Sequence, residues 1–413
     1  MYLESLHLEN FRCYGKLDIT FEKKLTVIVG ENGKGKTAIF DGIALGLGPF
    51  LQHMGCRARA LSGRDARRVP VYDESGLKLK EMDVQYPVVV ELEAVGKSRL
   101  QSRLVMDGKG LTQEENFSSL KLEDKAVLPV LAYYGTSRMW VDSRLLSQSP
   151  NNNRLQGYEE CLEPSSSYNT FGKWFAGLRD QERQRIYVPL ALAINKCLES
   201  TGFKNLKYHE QLQTLVIDHA DLGELIVDDM SDGFRAIISM VADLAYRMVC
   251  LNPHLGVQAV EETSGLVLID EIEMHLHPLW QQHILSDLQR AFPKVQFIIT
   301  THSSQVLSSV PAESIRVLNW DREFLGVDRV EFSLGAESHQ LLQDIQKVSA
   351  RPQSLPIVQD LQRYLELVGQ DKWDSKEALE LRQRLDRWAK GREPALIRAD
   401  MDIRMREFRR RRS

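Results

Sequence analysis

The segment Gly30–Thr37 constrains this chain more than any other feature. It reads GENGKGKT and matches the GxxxxGK[ST] pattern of phosphate-binding loops. An apolar run, Leu25–Val29, precedes it and predicts a buried strand, and Ile39 and Ile43 follow it at helical spacing. Glycines let such a loop curl until its N–H groups and the N-terminus of the next helix face a phosphate. We therefore predict a nucleotide site between this strand and this helix.

Two side chains of the loop predict specific contacts. Lys36 supplies a point charge for the β- and γ-phosphates, and the Thr37 hydroxyl is a ligand for Mg²⁺. The remaining candidate nucleotide contacts are backbone and neighbouring positions of the same segment: Gly30, Asn32, Gly33, Lys34, Gly35 and Ala38.

A second motif supplies carboxylates. Gly265–Ile269 is an apolar run that predicts a buried strand, and it ends in Asp270 and Glu271. A strand that delivers Asp270 beside the loop provides an outer contact to Mg²⁺, and Glu271 is then placed to orient or deprotonate an attacking water. Many apolar strands end in an acid, so the prediction depends on the pairing with the phosphate loop.

Two further motifs flank the acidic strand. Ser231, Asp232 and Gly233 precede a run with apolar residues at helical spacing, which predicts a helix whose N-terminus attracts anions. Beyond Glu271, the apolar run Val295–Ile299 leads into Thr300-Thr301-His302. Without the other motifs, the first would be an ordinary capped helix and His302 an ordinary turn residue.

The order of these motifs, with more than two hundred residues between Lys36 and Asp270, resembles ABC/SMC-type ATPases. The resemblance implies an α/β fold: an ABC-type P-loop NTPase head with a mixed central sheet, an antiparallel β subdomain, a helical insertion and a helical C-terminal region. It implies ATP hydrolysis with Mg²⁺, catalysed by Lys36, Glu271 and the switch residue His302. It also implies a homodimer, or a larger oligomer, in which Ser231, Asp232 and Gly233 of one copy contact the ATP held by the other.

Some positions match the resembled family less closely. Arg12, in Asn10-Phe11-Arg12, resembles its adenine-side contact. Glu273–Pro278 resembles its D-loop at the subunit interface; a zinc site is the alternative, although His275 and His277 at i and i+2 do not share a helix face. No Q-loop glutamine is evident, and residues Tyr133–Arg138 are the candidate replacement.

The composition indicates a globular protein without a general attraction to nucleic acid. The formal net charge is −4, so any DNA contact must be a local patch. The five cysteines are dispersed and contain no CxxC pair, which is typical of reduced thiols in a cytosolic protein. Because neither a signal peptide nor a long apolar stretch is evident, we expect a cytoplasmic protein without a membrane partner.

The resemblance implies an ATPase head over residues 1–335 and a partner-binding C-terminal region over 336–413, which the residue pattern predicts to be helical. Within the head, 51–127 is expected to form the β subdomain and 150–205 the helical insertion. Residues 51–81 are expected to be irregular, and the helix ending at Ser200 to break near Pro189. Sustained heptads for a long coiled coil are not evident.

Three segments resemble the ATPase subunits of Septu-type anti-phage systems and their retron-associated relatives: Met230–Arg235, Asp270–Pro278 and Ile397–Glu407. The resemblance implies a separate HNH nuclease partner that cuts nucleic acid. Asp400-Met-Asp402 has the Asp-x-Asp spacing of a Toprim nuclease, but it falls in a predicted helix, Ala395–Arg410, so we expect no nuclease domain in this chain.

Other functions stay open. The clusters Arg57–Arg68 and Arg404–Arg412 allow a RecF-like repair ATPase that binds DNA directly as an ATP-dependent dimer. The second cluster is as well explained as a solvated helix end. A transporter ATPase is disfavoured, because a clear Q-loop is not evident.

Overall fold

The computed structural model describes residues 1–72, 79–96, 98–117, 126–136, 154–164, 180–209, 211–212, 214–321 and 324–410. Part of the candidate Q-loop replacement, Ser137 and Arg138, lies outside these residues. The chain forms two compact units, Met1–Leu341 and Leu342–Ser413.

The strands all belong to the first unit. They are β1 Tyr2–Phe11, β2 Tyr14–Thr20, β3 Leu25–Val29, β4 Arg68–Tyr72, β5 Leu79–Val84, β6 Val88–Val95, β7 Arg99–Met106, β8 Leu111–Glu115, β9 Val130–Tyr134, β10 Phe203–His209, β11 Thr214–His219, β12 Gly223–Ile226, β13 Gly265–Ile269, β14 Val295–Thr300, β15 Ile315–Asp321 and β16 Phe324–Asp328.

The α-helices occur in both units. They are α1 Lys36–Gly46, α2 Gly48–His53, α3 Asp180–Leu198, α4 Asp232–Leu251, α5 Ala259–Glu262, α6 Pro278–Gln281, α7 Ile284–Ala291, α8 Ser304–Leu307, α9 Ser338–Asp344, α10 Pro356–Gly369, α11 Lys376–Ala389 and α12 Pro394–Arg410.

A mixed sheet positions the predicted motifs. Within the described residues its strand order is β16-β15-β3-β14-β13-β9, and all neighbours are parallel except β15 and β16. Every residue of β3, β13, β14 and β9 is buried, as expected for parallel strands covered on both faces. The carboxyl ends of parallel strands share one edge of the sheet, so the segments after β3, β13 and β14 meet there.

An antiparallel sheet draws on two parts of the sequence. Its order is β2-β1-β6-β7-β8 in the described part of the chain, so β1 and β2 join strands from the 51–127 segment. Helix α1 packs against it: a Cβ added at Gly46 would lie 2.9 Å from Leu92 Cβ of β6. The phosphate-loop helix is therefore held against the antiparallel sheet. The expected α/β fold with a mixed central sheet is confirmed.

Two local expectations were wrong. Residues 51–81 are not wholly irregular, because β4 pairs with β5 in an antiparallel hairpin. Helix α3 also continues through Pro189. A proline removes one helical hydrogen bond, and the buried Leu190, Ile194 and Cys197 give this helix a packed face that offsets the loss.

The second unit is helical and has its own core. Leu361 and Tyr364 of α10, Leu385 of α11 and Leu396 of α12 are buried in it. Lys390 and Gly391 adopt positive φ after α11, and Pro394 begins α12. Asp400 and Asp402 lie in this helix, as expected. Among the described residues, no helix is both long and apolar enough to span a lipid bilayer.

Candidate functional site

The phosphate loop connects β3 to α1 in the conformation that glycine permits. Gly33 and Gly35 both have φ of 82°. A Cβ at Gly35 would lie 2.4 Å from Cys13 Sγ and 2.6 Å from Tyr14 Oη, so no larger residue fits there. The Tyr14 hydroxyl donates to the Gly35 carbonyl oxygen at 2.9 Å and fixes the loop from behind. Asn32 and Gly33 are exposed at its tip.

Lys36 lies under this loop and is only 7% exposed. Its ammonium group donates to the carbonyl oxygens of Gly30, at 2.8 Å, and Glu31, at 3.2 Å. Burial lowers the pKa of Lys36, and the carboxylates of Asp270 and Glu271 oppose that shift. A cation is thus held at the loop by weak carbonyl acceptors that an anionic phosphate can replace.

Hydroxyl groups connect the loop to the acidic strand end. The exposed Thr37 donates from Oγ1 to Oδ2 of Asp270 at 2.9 Å, and Thr300 donates to Oδ1 of the same carboxylate at 2.5 Å. The Glu271 N–H donates to Thr300 Oγ1 at 2.8 Å. The ends of β13 and β14 and the start of α1 therefore meet, as the sequence predicts.

The backbone of Glu271 adopts φ of 49°, in the left-handed region that costs free energy for a residue with a side chain. A hydrogen bond stabilises this turn: the Ile272 N–H donates to the Thr300 carbonyl oxygen at 3.2 Å. Such strain at a candidate catalytic carboxylate is typical of functional sites.

Glu273 is a site residue that the sequence reasoning did not single out. Its carboxylate accepts from the Thr301 hydroxyl at 2.7 Å and from the His302 N–H at 2.5 Å. The acidic segment after β13 is thereby fastened to the segment after β14 that carries His302. The sequence signal was the third carboxylate in Asp-Glu-Ile-Glu.

Arg12 lies in an ion-pair cluster that the sequence did not reveal. It contacts Asp41 of α1 at 2.5 Å and Asp65 at 3.3 Å, and Arg59 contacts the same two carboxylates at 3.3 and 2.5 Å. Asp65 is 1% exposed, and burial raises the pKa of Asp41 while both arginines oppose the shift. Arg12 therefore connects the β1–β2 turn to the phosphate-loop helix.

Ser231, Asp232 and Gly233 lie at the start of α4. Ser231 is the exposed N-cap residue, yet its side chain makes no capping hydrogen bond. Asp232 is exposed and pairs with Arg235. Ser231 and Asp232, at the start of this 20-residue helix, are thus both exposed, whereas Gly233 is buried.

Gly233 joins this segment to the candidate D-loop. A Cβ at Gly233 would lie 2.1 Å from the His275 carbonyl oxygen, closer than any real contact. His275 has φ of 64° and is exposed, and the exposed His277 accepts the Leu279 N–H at its Nδ1 at 3.3 Å as the N-cap of α6. In the described chain, including this segment, no cluster of three or more His, Cys, Asp or Glu side chains could hold a metal ion.

Comparisons with known proteins identify the family of this chain. A family described as "AAA domain, putative AbiEii toxin, Type IV TA system" matches residues 25–308, more than half of the chain. The chain belongs to this family. A second family, "AAA ATPase domain", matches residues 1–47. The protein is accordingly an ATPase.

Among curated proteins, the chain is 25% identical to the "Retron Ec83 probable ATPase" of Escherichia coli, over 91% of this chain and 82% of that protein. It is 27% identical to the "Septu protein PtuA" of Bacillus mycoides (strain KBAB4), over 78% of this chain and 41% of that protein. Among solved structures, a crystal structure of an SmcHead bound to the C-winged helix domain of ScpA matches with a TM-score of 0.49 and 17% identity, over 80% of this chain and 98% of that one.

Proposed function

We propose that two copies of this ATPase enclose ATP between the phosphate loop of one and the Ser231–Gly233 segment of the other. The observation that supports this most directly is the start of α4, where Ser231 is exposed and its hydroxyl makes no capping bond within its own helix. A helix N-terminus of this kind attracts anions, and a γ-phosphate is the anion that a second protomer would present.

Within each site, Lys36 holds the β- and γ-phosphates and Glu271 orients or deprotonates the attacking water. His302 senses the γ-phosphate, and Arg12 contacts the adenine side. Thr37 and Asp270 fit Mg²⁺, because their oxygens are hard ligands and already lie 2.9 Å apart. When bound, Mg²⁺ neutralises charge on the phosphate oxygens.

Mixing two inactive variants tests the shared site. Lys36→Ala removes the phosphate-loop charge and Ser231→Arg blocks the opposing segment, so neither variant alone forms an intact site. A mixed dimer contains one intact site, formed by Lys36 of the Ser231→Arg protomer and Ser231 of the Lys36→Ala protomer. We expect ATP turnover to return on mixing. Two variants that stay inactive together, although each is folded and binds its partner, would contradict the arrangement.

We further propose that this ATPase is the nucleotide-gated subunit of an anti-phage defence complex whose separate, HNH-type nuclease subunit acts on DNA or another nucleic acid. The likeness to a retron ATPase and to a Septu protein across most of the chain supports this. Co-expression with the product of the adjacent gene tests it. We expect a stable complex that protects cells against phage and loses that protection with Glu271→Gln. Full protection by this chain alone would overturn the proposal.

Direct DNA binding is the second candidate, and one observation favours it. Arg57, Arg64 and Arg68 are exposed and form no ion pair with other described residues. Arg59, in contrast, is neutralised by Asp41 and Asp65. ATP-dependent duplex binding by the isolated protein, steeply weakened by salt and by Arg64→Glu with Arg68→Glu, would support this function. No binding at low salt would exclude it.

A further inference from the structure

Helix α12 carries an apolar stripe on its exposed side. Ile397, Met401, Met405 and Phe408 are 43%, 60%, 59% and 58% exposed. At about 100° per residue these four positions fall within roughly 80° of one another around the helix. They therefore form one face, which runs about 16 Å along the helix axis at the usual rise per residue.

The opposite face of α12 is already occupied. Leu396 and Ala399 are buried in the core of the second unit, and Ile403 packs against that core. The helix is thus apolar on two opposite sides, and on the second side Ile397, Met401 and Met405 are largely exposed. A second apolar face on a helix that is already packed is typical of a surface that another molecule covers.

The charges beside the stripe are mostly positive. Arg398, Arg404 and Arg409 are exposed and make no ion pair with other described residues, and Arg411 and Arg412 follow in the sequence. Two acids of the helix are neutralised within the unit: Asp400 by Arg382, at 2.9 Å, and Asp402 by Arg406, at 2.8 Å. Glu407 is the remaining exposed acid.

Arg406 has a separate, internal role. Its guanidinium donates to the carbonyl oxygens of Val368 and Gly369, at 3.2 and 3.3 Å, and to Asp371 at 2.7 Å. It therefore satisfies the C-terminus of α10 and interacts favourably with its dipole. The basic cluster predicted from the sequence thus divides into a structural arginine and arginines available to a ligand.

We propose that this stripe docks an acidic amphipathic helix of the partner protein, an inference that rests on the proposed function. Methionines and a phenylalanine suit helix-in-groove docking, because methionine adapts to an irregular apolar surface. The flanking arginines favour acidic side chains on the partner. A second copy is disfavoured as the occupant, because an isologous contact would bring the same arginines together. Duplex DNA offers no matching apolar surface.

The test uses the full chain and the purified product of the gene adjacent to its own, with binding measured by biolayer interferometry. Met401→Glu with Met405→Glu should weaken binding about tenfold or more, as expected for central apolar contacts. Leu222→Glu is the matched control, since this leucine is 65% exposed at a turn of the first unit. It should bind normally. ATP turnover of the isolated chain should be unchanged in all variants, because none of the substituted residues is assigned to the nucleotide site.

Charge reversal provides an independent measurement. Arg404→Glu with Arg409→Glu should slow association and reduce its salt dependence, since rim charges act mainly on the on-rate. This separates docking on the stripe from a general loss of folding, which circular dichroism of both double variants also monitors.

The outcomes distinguish the two proposals. Normal partner binding by the Met401→Glu, Met405→Glu variant overturns the docking surface but does not contradict the proposed partner complex. Failure of the unmodified chain to bind overturns both. A wild-type oligomer that the stripe variant dissociates would identify a second copy as the occupant. Flotation with phosphatidylglycerol vesicles that the stripe variant loses would identify a membrane surface. Either result overturns the inference.

Discussion

The phosphate loop and the start of α4 both present groups suited to phosphate, but the two regions differ in hydrogen bonding and in exposure. Lys36 donates to carbonyl oxygens of its own loop, and Thr37 donates to Asp270 at the end of the buried strand β13. Ser231 makes no capping bond and is exposed. The groups of the first region pair within their own chain, whereas Ser231 has no capping bond, as the proposed contact with a second protomer requires.

The largest expected difference between the two regions concerns Glu271. Glu271→Gln keeps the shape of the side chain and removes its basicity, so ATP turnover should fall by about 10²–10⁴, the usual contribution of a general base. ATP binding should persist, because Lys36 and the loop are unchanged. Steady-state phosphate release and fluorescent-nucleotide binding measure the two effects.

Glu262→Gln is the control, since Glu262 is a surface carboxylate paired with Lys294. It should keep normal turnover. Unchanged turnover in Glu271→Gln would show that another group activates the water.

Lys36→Ala should weaken ATP binding. A hydrogen bond to a charged group contributes about 1.5–3 kcal/mol, so affinity for ATP should fall roughly 10- to 100-fold. Isothermal calorimetry in the Glu271→Gln background, which should consume ATP only slowly, measures this directly. Lys16→Ala, at a lysine whose side chain is 60% exposed, should bind normally. Equal affinity with and without Lys36 would remove it from the site.

The same contrast explains what the sequence could predict. The loop, the acidic strand end and the segment after β14 meet because parallel strands place their carboxyl ends at one edge. The paired motifs predicted Asp270 beside the loop, whereas the role of His302 was implied by the family resemblance. Local spacing likewise predicted the last helix of the second unit, Ala395–Arg410, which the structure has as α12. These features depend on residues close together in the sequence.

Contacts between distant segments could not be predicted. No sequence spacing indicates that one cluster contains Arg12, Arg59, Asp41 and Asp65. Their pairing depends on how separate segments of the chain pack together. The close approach of Gly233 to the His275 carbonyl oxygen could not be predicted either, because a contact between two backbone segments leaves no pattern in the sequence. The continuity of α3 through Pro189 depends on packing that overrides a local preference.

Gly233→Ala and Ser231→Ala should have different effects on stability, although the two positions are close together at the start of α4. A Cβ added at Gly233 would overlap the His275 carbonyl oxygen at 2.1 Å, so the backbone must shift and the free energy of unfolding should fall by about 1–3 kcal/mol. Ser231→Ala should change that free energy by less than about 0.5 kcal/mol, although N-cap substitutions usually cost more, because its hydroxyl makes no cap bond. Urea denaturation measures both. Turnover should fall in both variants. A strongly destabilised Ser231→Ala protein would show that the hydroxyl serves its own chain.

Glu273→Gln tests the connection between the D-loop segment and the switch segment. The amide oxygen can still accept from the His302 N–H, but the NH₂ group then faces the Thr301 hydroxyl in place of a carboxylate oxygen. Hydrogen bonds to a charged acceptor are thus replaced by weaker neutral ones, a loss of about 1 kcal/mol. We expect turnover to fall about fivefold with unchanged ATP affinity. Glu261→Gln, on the surface, is the matched control. A loss of affinity without a change in turnover would place Glu273 in binding instead.

The pH dependence of ATP binding is expected to come from Lys36. Burial lowers the pKa of Lys36, and the charged form binds phosphate. As the pH rises through that lowered pKa, the free protein loses the proton and must take it up again on binding ATP, so affinity falls, by at most about tenfold per pH unit. The decline should begin at a lower pH than for an ordinary lysine. Lys36→Arg should abolish the slope, whatever its absolute affinity, because arginine stays protonated. A slope that persists in Lys36→Arg would assign the titration to a different group.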